Sequence, residues 1–250
     1  MPHLPDRTRF AALAVESKLV PVWRRLFADS LTPLSAFARL DVGDSACLFE
    51  SVVGGEKVGR YSFLGADPFL RLEARGRAVR ITRGATVGTT GGVTVESFEC
   101  DDPLAELERR VAEFRPARLP ELPPFTSGAV GYAAYDAIRY VERLPDAPPD
   151  DLGLPDLDFA FYDRLVVFDN ATKAIDVVVL ARIDDPSPAA VEQAYAAACR
   201  RVDETIGLLA APSTWPPPAD IGPREEPRCL AAGTATSPFS HEAFLAAVDR

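Results

Sequence analysis

The sequence predicts an α+β fold of mixed, largely antiparallel sheets with flanking helices. Three observations carry that expectation. Apolar and charged residues alternate with period two on either side of glycine turns, the pattern of half-buried strands joined in hairpins. Two segments, opened by Asp102-Pro103 and Ser187-Pro188, repeat apolar residues at helical spacing. Strands and helices do not follow one another in a strict βαβ rhythm, which argues against a purely parallel sheet.

In chain order, Leu19–Phe27 is a short apolar segment, LVPVWRRLF. Residues 29–40 form a helix, with Thr32 as its cap and Pro33 at its first position. Residues 46–53, ACLFESVV, read as a buried strand broken by Gly54-Gly55, and residues 59–65, GRYSFLG, as a second strand carrying aromatics. Leu70, Leu72 and Ala74 alternate with Arg71, Glu73 and Arg75; after Gly76 the alternation resumes with Val79 and Ile81, which is a hairpin. Residues 93–98 give a further strand. After Asp102-Pro103, the residues Leu104, Leu107, Val111 and Phe114 line one helical face. Residues 115–124 are a proline-broken loop and residues 128–132 a short strand. Residues 159–168 and 174–181 are expected as a strand pair around Asp169-Asn170. The clearest helix follows Ser187-Pro188, with Val191, Tyr195, Ala198, Val202, Ile206 and Leu209 in one stripe.

Residues 212–238 contain seven prolines and few large apolar residues, the composition of a linker. An amphipathic segment carrying Phe244, Leu245 and Val248 follows it. A helix so short is marginal alone, which suggests that residues 239–250 begin a further domain. The chain thus divides into an N-terminal arm (1–30), a main domain (31–211), a linker (212–238) and that last segment (239–250).

The net charge of −10 argues against nucleic acid and anionic membranes as partners, since both need basic patches. No apolar run reaches the length of a membrane span and the N-terminus lacks the apolar core of a secretory signal, so a cytoplasmic location is expected. Cys47, Cys100, Cys199 and Cys229 form no CxxC pair, and the two histidines, His3 and His241, sit near the ends. A histidine-based catalytic or zinc site is therefore not expected.

The segment LFES (48–51) followed by GGEKVGRYSFLG (54–65) offers what a zwitterionic amino acid needs. Glu50 can pair with an ammonium, Arg60 can hold a carboxylate bidentately, Ser51 can orient, and apolar neighbours can take the side chain. A strand-end ion pair with turn glycines would give the same pattern. Elsewhere, Asp136, Arg139 and Glu142 fall three apart and can pair on one helical face. The glycine-rich residues 83–92 lack the lysine of a phosphate loop and read as a hairpin loop. The acidic run from Asp146 to Asp151, with Asp156 and Asp158, has no calcium-loop spacing and reads as a solvated loop.

Four stretches together resemble anthranilate synthase component I, of the chorismate-utilising enzymes: LVPVWRRLFADSLTPLSAFARL (19–40), CLFESVVGGEKVGRYSFLGADP (47–68), GAVGYAAYDAIRYVERLP (128–145) and FYDRLVVFDN (161–170). The resemblance implies an enzyme making anthranilate and pyruvate from chorismate and glutamine-derived ammonia with Mg²⁺, a glutamine amidotransferase subunit as partner, and feedback inhibition by L-tryptophan. It implies that residues 31–211 are the tryptophan-binding portion, with Glu50 and Ser51 at the positions of the family's Glu-Ser motif and Arg60 as a third contact. It also implies that the catalytic and Mg²⁺-binding residues lie beyond residue 250, so that none is in this chain and the chain alone is inactive. Phe49, Ser127, Ala133 and Asn170 depart from the residues usual at those positions. The component I of aminodeoxychorismate synthase shares this architecture and is the alternative within the family; a stand-alone amino-acid-binding or structural module is the alternative outside it.

Overall fold

A computed structural model describes residues 2–27, 29–40, 45–50, 59–84, 92–147, 149–212 and 240–248. Two compact units emerge, residues 1–215 and residues 216–250.

The first unit runs α1 (Arg7–Glu16), β1 (Leu19–Phe27), α2 (Pro33–Arg39), β2 (Ala46–Phe49), β3 (Tyr61–Ala66), β4 (Leu70–Arg75), β5 (Ala78–Arg83), β6 (Thr94–Glu99), α3 (Pro103–Glu113), β7 (Gly128–Ala133), a 3-10 turn (Tyr135–Tyr140), β8 (Leu157–Tyr162), β9 (Arg164–Asp169), β10 (Ala174–Arg182) and α4 (Pro188–Ala210). The strands form two five-stranded sheets, β1-β10-β9-β3-β2 and β6-β5-β4-β8-β7, in which every pairing is antiparallel. The fold class is therefore α+β, with antiparallel sheets and flanking helices. The second unit contains α5 (His241–Val248).

Local chemistry sets the helix starts. Thr32 and Ser35 form a reciprocal capping box at α2, and Asp102 and Ser187 accept the Ala105 and Ala190 N–H groups at α3 and α4, each ahead of a proline. Helices α1, α2 and α4 cover one face of the first sheet. Val20, Val22, Leu64, Val166, Phe168, Ile175, Val177 and Val179 meet Phe10, Ala36, Val191, Tyr195, Ala198 and Val202 there. This is the stripe expected of α4, and each large apolar side chain it buries contributes roughly 1.5–3 kcal/mol. The expected N-terminal arm, residues 1–30, supplies both α1 and β1, and β1 pairs with β10 along its nine residues.

The opposite face of the first sheet, at its β1–β10 side, packs on the second sheet. Leu19, Trp23, Val178 and Leu180 meet Leu70, Leu72, Ala74, Val79, Ile81, Leu157 and Phe161. The alternation read around Gly76 is thus realised as the β4–β5 hairpin, with Gly76 itself at a positive φ of 52°. At the β9–β3 side of the same face, a smaller cluster joins Leu165 and Val167 to Ala160 and Tyr162, bordered by Tyr61, Phe63, Phe125 and Val130. Gly131 lets β7 lie against β8 here: a methyl group on it would stand 1.9 Å from the Asp158 carbonyl oxygen.

Three expectations are corrected. Residues 159–168 are not one strand. The chain turns at Asp163, and β8 and β9 belong to different sheets. The Asp163 carbonyl accepts the Leu180 N–H, and its carboxylate holds both terminal nitrogens of Arg201, fixing the corner. Strand β2 is half-buried rather than buried, because it is an edge strand with β3 as its neighbour. On α3, Val111 is exposed, while Glu106 and Arg110 are buried against each other and bonded at 2.7 Å. Their mutual neutralisation, with Arg109 on the same carboxylate, lets charged residues occupy the inner face.

Candidate functional site

Of the residues singled out for an amino-acid ligand, Glu50 and Arg60 lie at the same end of the β2–β3 pair. Phe49 closes β2 opposite Phe63 of β3, and Glu50 is the next residue, exposed to solvent. Arg60 immediately precedes β3. Ser51, with residues 52–58, lies outside the described residues, as do residues 85–91 of the glycine-rich loop.

Arg60 holds a carboxylate with two nitrogens, and in this structure that carboxylate is the side chain of Asp169. Its Nη2 donates to Asp169 Oδ2 at 2.8 Å and its Nε to Oδ1 at 3.2 Å. The guanidinium carbon also lies 4.9 Å from the centre of the Tyr61 ring, a cation–π distance. Asp169 ends β9 and is buried, and its Oδ1 additionally accepts the N–H groups of Ala171 and Thr172. The Arg60 guanidinium, helped by those backbone donors, holds the Asp169 carboxyl down at about 2.

The next residue completes the attachment. Asn170 donates from its backbone N–H to the Arg60 carbonyl at 2.7 Å, and from Nδ2 to the Gly59 carbonyl and the Ser62 hydroxyl, both at 3.2 Å. Residues 59–62 are thereby tied to the β9–β10 turn. Local sequence marks Asp169-Asn170 only as a hairpin turn, because its partners lie about a hundred residues earlier, Arg60 and Asp169 being 109 positions apart.

Beside this polar end runs an aromatic file. Tyr61 and Phe63 lie with ring centres 6.0 Å apart, and Phe125 meets Phe63 edge-on at 5.5 Å. Burial pushes the Cys47 thiol and the Tyr162 hydroxyl up, so both are neutral at pH 7 in the cluster below. The arrangement can offer charged groups and an aromatic surface from neighbouring positions of β2 and β3, the chemistry that recognises an aromatic amino acid.

Several of the other sequence candidates have structural partners. Arg139 pairs with Asp136 at 2.7 Å on the 3-10 turn, where a spacing of three brings side chains into line. Asp156 accepts the Gly76 N–H and the Tyr140 hydroxyl, Asp158 holds Arg71 at both oxygens, and Asp150 accepts the Gly153 N–H. Among the described residues no group of three or more His, Cys, Asp or Glu could hold a metal ion. A cleft of about 510 Å³ opens over the outer face of β4–β6, but its floor is the alternating charged face, with Glu73 opposite Arg80. No helix among the described residues is long and apolar enough to cross a membrane.

The depressed Asp169 carboxyl has a consequence in acid. Its proton binds more tightly in the unfolded chain, whose ordinary value is 3.8, than in the folded one. The stabilisation is complete above that value and is lost as pH falls through about 2. Thermal melts are expected to show Asp169→Asn less stable than wild type at neutral pH, with the gap closing between about pH 4 and pH 2. A gap independent of pH would contradict the assignment.

No family model matches the chain. It is 40% identical over 212 residues to the anthranilate synthase component 1 of Pseudomonas aeruginosa, covering 84% of this chain and 40% of that protein. To the component 1 of Acetivibrio thermocellus it is 35% identical over 199 residues, covering 79% of this chain and 38% of that protein. The chain therefore spans about two fifths of the length of these curated relatives. The crystal structure of anthranilate synthase component I from Streptococcus pneumoniae TIGR4 aligns with 76% of this chain and 37% of its own, at 24% identity and a TM-score of 0.45.

Proposed function

We propose, from the premise that this chain resembles anthranilate synthase component 1, that it forms the feedback-regulatory portion of such an enzyme and binds L-tryptophan. The observation that carries the reading is identity of 40% over 212 residues to a protein of that name. Glu50 takes the ligand's ammonium, Ser51 orients it and Arg60 takes its carboxylate. The aromatic residues next to Arg60 on β3 give the indole a surface of matching character. Arg60 is held by Asp169, as a carboxylate-binding arginine steadied by a second carboxylate would be.

The complete enzyme converts chorismate and ammonia into anthranilate and pyruvate, opening tryptophan biosynthesis, and receives ammonia from a glutamine amidotransferase subunit. Tryptophan acts on it by coupling a regulatory site to a distant reacting one. In this reading Mg²⁺ and the reacting residues belong to the part of such an enzyme that this chain, covering 40% or less of the two relatives compared, does not match. No reaction step is assigned to residues of this chain. A fluorescence assay for anthranilate with chorismate, ammonium and Mg²⁺ is expected to read background with the 250-residue chain. Anthranilate formed in proportion to the chain's concentration would contradict that assignment.

A further inference from the structure

We propose that Asp169 and Asn170 are positioning residues for the ligand site, acting through Arg60; this rests on the tryptophan reading above. Arginine is long and flexible, so an unanchored guanidinium gives up much conformational freedom on meeting a carboxylate. Here the freedom is already removed. Asp169 engages Nε and Nη2 together, which fixes the plane of the guanidinium, and the Tyr61 ring lies under its carbon. The anchor is itself anchored, because the Ala171 and Thr172 N–H groups hold Asp169 Oδ1. Asn170 does for the backbone what Asp169 does for the side chain. It grips the Arg60 carbonyl, the Gly59 carbonyl and the Ser62 hydroxyl, and so sets where β3 begins.

Two adjacent residues of one hairpin turn thus fix both ends of Arg60, its Cα and its guanidinium. A turn meant only to join β9 to β10 needs the Asp169↔Ala174 pairing and the Asx-type bonds to 171 and 172. The bond to the Arg60 carbonyl continues the β3–β9 ladder past Tyr61↔Asp169, but the Asn170 side-chain bonds to 59 and 62 and the Asp169 side-chain bonds to Arg60 are extra to either task, and they bracket the residue assigned to the ligand's carboxylate.

The test is calorimetric titration of the 250-residue chain with L-tryptophan, for wild type, Arg60→Ala, Asp169→Asn and the double variant. Removing the partner that orients a ligating side chain commonly weakens binding about tenfold or more, and Asp169→Asn is expected to do so here. In the Arg60→Ala background, Asp169→Asn should cause no further loss, because its effect passes through the arginine. Partners of one ion pair are non-additive whatever their role, so the separating readout is tryptamine, which lacks the carboxylate: Asp169→Asn should weaken L-tryptophan and leave tryptamine unchanged, whereas a purely structural contribution would weaken both. Wild-type affinity in Asp169→Asn, or an undiminished loss in the Arg60→Ala background, would overturn the proposal while leaving the tryptophan reading standing. If Arg60→Ala itself binds as wild type does, the positioning role falls and Glu50 and Ser51 remain as the site. Absence of binding by the wild-type chain would overturn both. Should Asp169→Asn not fold, as judged by its melting curve, Asn170→Ala in the same two backgrounds carries the same test with the same outcomes.

Discussion

Trp23→Ala is expected to lower the stability of the first unit by about 3–5 kcal/mol, the cost of removing a large aromatic from a filled core. Trp23 is 1% exposed and lies near the middle of β1, opposite Val178. Its side chain belongs to the core shared by the two sheets, with Leu19, Val178 and Leu180 from the first sheet and Leu70, Leu72 and Phe161 from the second. Its backbone carries a second function: its N–H and carbonyl exchange hydrogen bonds of 2.7 and 2.9 Å with Leu4, covering the outer edge of β1. Alanine preserves those backbone bonds and leaves a cavity, so the loss reports packing alone. For a domain near two hundred residues, each kcal/mol moves the melting temperature by roughly 2–4 °C, so a fall of about 6–20 °C is expected. Phe27→Ala, four residues along the same strand and 79% exposed, should stay within about 0.5 kcal/mol of wild type. Similar melting temperatures for the two variants would contradict the placement of β1 between the helices and the second sheet.

The second large effect concerns the ligand. Glu50→Ala and Ser51→Ala in the complete enzyme are each expected to weaken inhibition by tryptophan roughly tenfold or more, since a hydrogen bond to a charged group is worth about 1.5–3 kcal/mol. Chorismate turnover without tryptophan should be broadly unchanged, because neither residue is assigned to the reaction. Glu50 is exposed just past the end of an edge strand, so its replacement by alanine removes charge and hydrogen bonding while disturbing little packing. Glu50→Gln keeps the shape and removes the charge, and should fall between wild type and alanine. Inhibition curves that coincide with wild type for both alanine variants would remove Glu50 and Ser51 from the site.

Much of the fold was written locally. The alternation of Leu70, Leu72 and Ala74, the stripe on α4 and the Thr32-Pro33 entry to α2 each need only neighbours within one element to be read. What escaped depends on residues far apart. The chain's passage from one sheet to the other at Asp163 carries no glycine or proline, and the strand segments on both sides are apolar, so residues 159–168 looked continuous. The pairing of Glu106 with Arg110 hides two charges that periodicity assigns to solvent, and it leaves Val111 outside. At the site, Arg60 was legible as a carboxylate holder from its residue type and its place after a glycine turn. Its partner was not, because nothing local to Asp169 signals a guanidinium 109 residues earlier, just ahead of β3.

The central claim is that this chain binds tryptophan. Titration of the 250-residue chain with L-tryptophan in a calorimeter tests it most directly, since heat reports the ligand even though Trp23 and Trp215 would obscure a fluorescence signal. Saturable binding of L-tryptophan, with D-tryptophan and L-phenylalanine much weaker, is the result predicted by a site that reads ammonium, carboxylate and indole together. Heats that never saturate, or equal binding of the two tryptophan enantiomers, would contradict it.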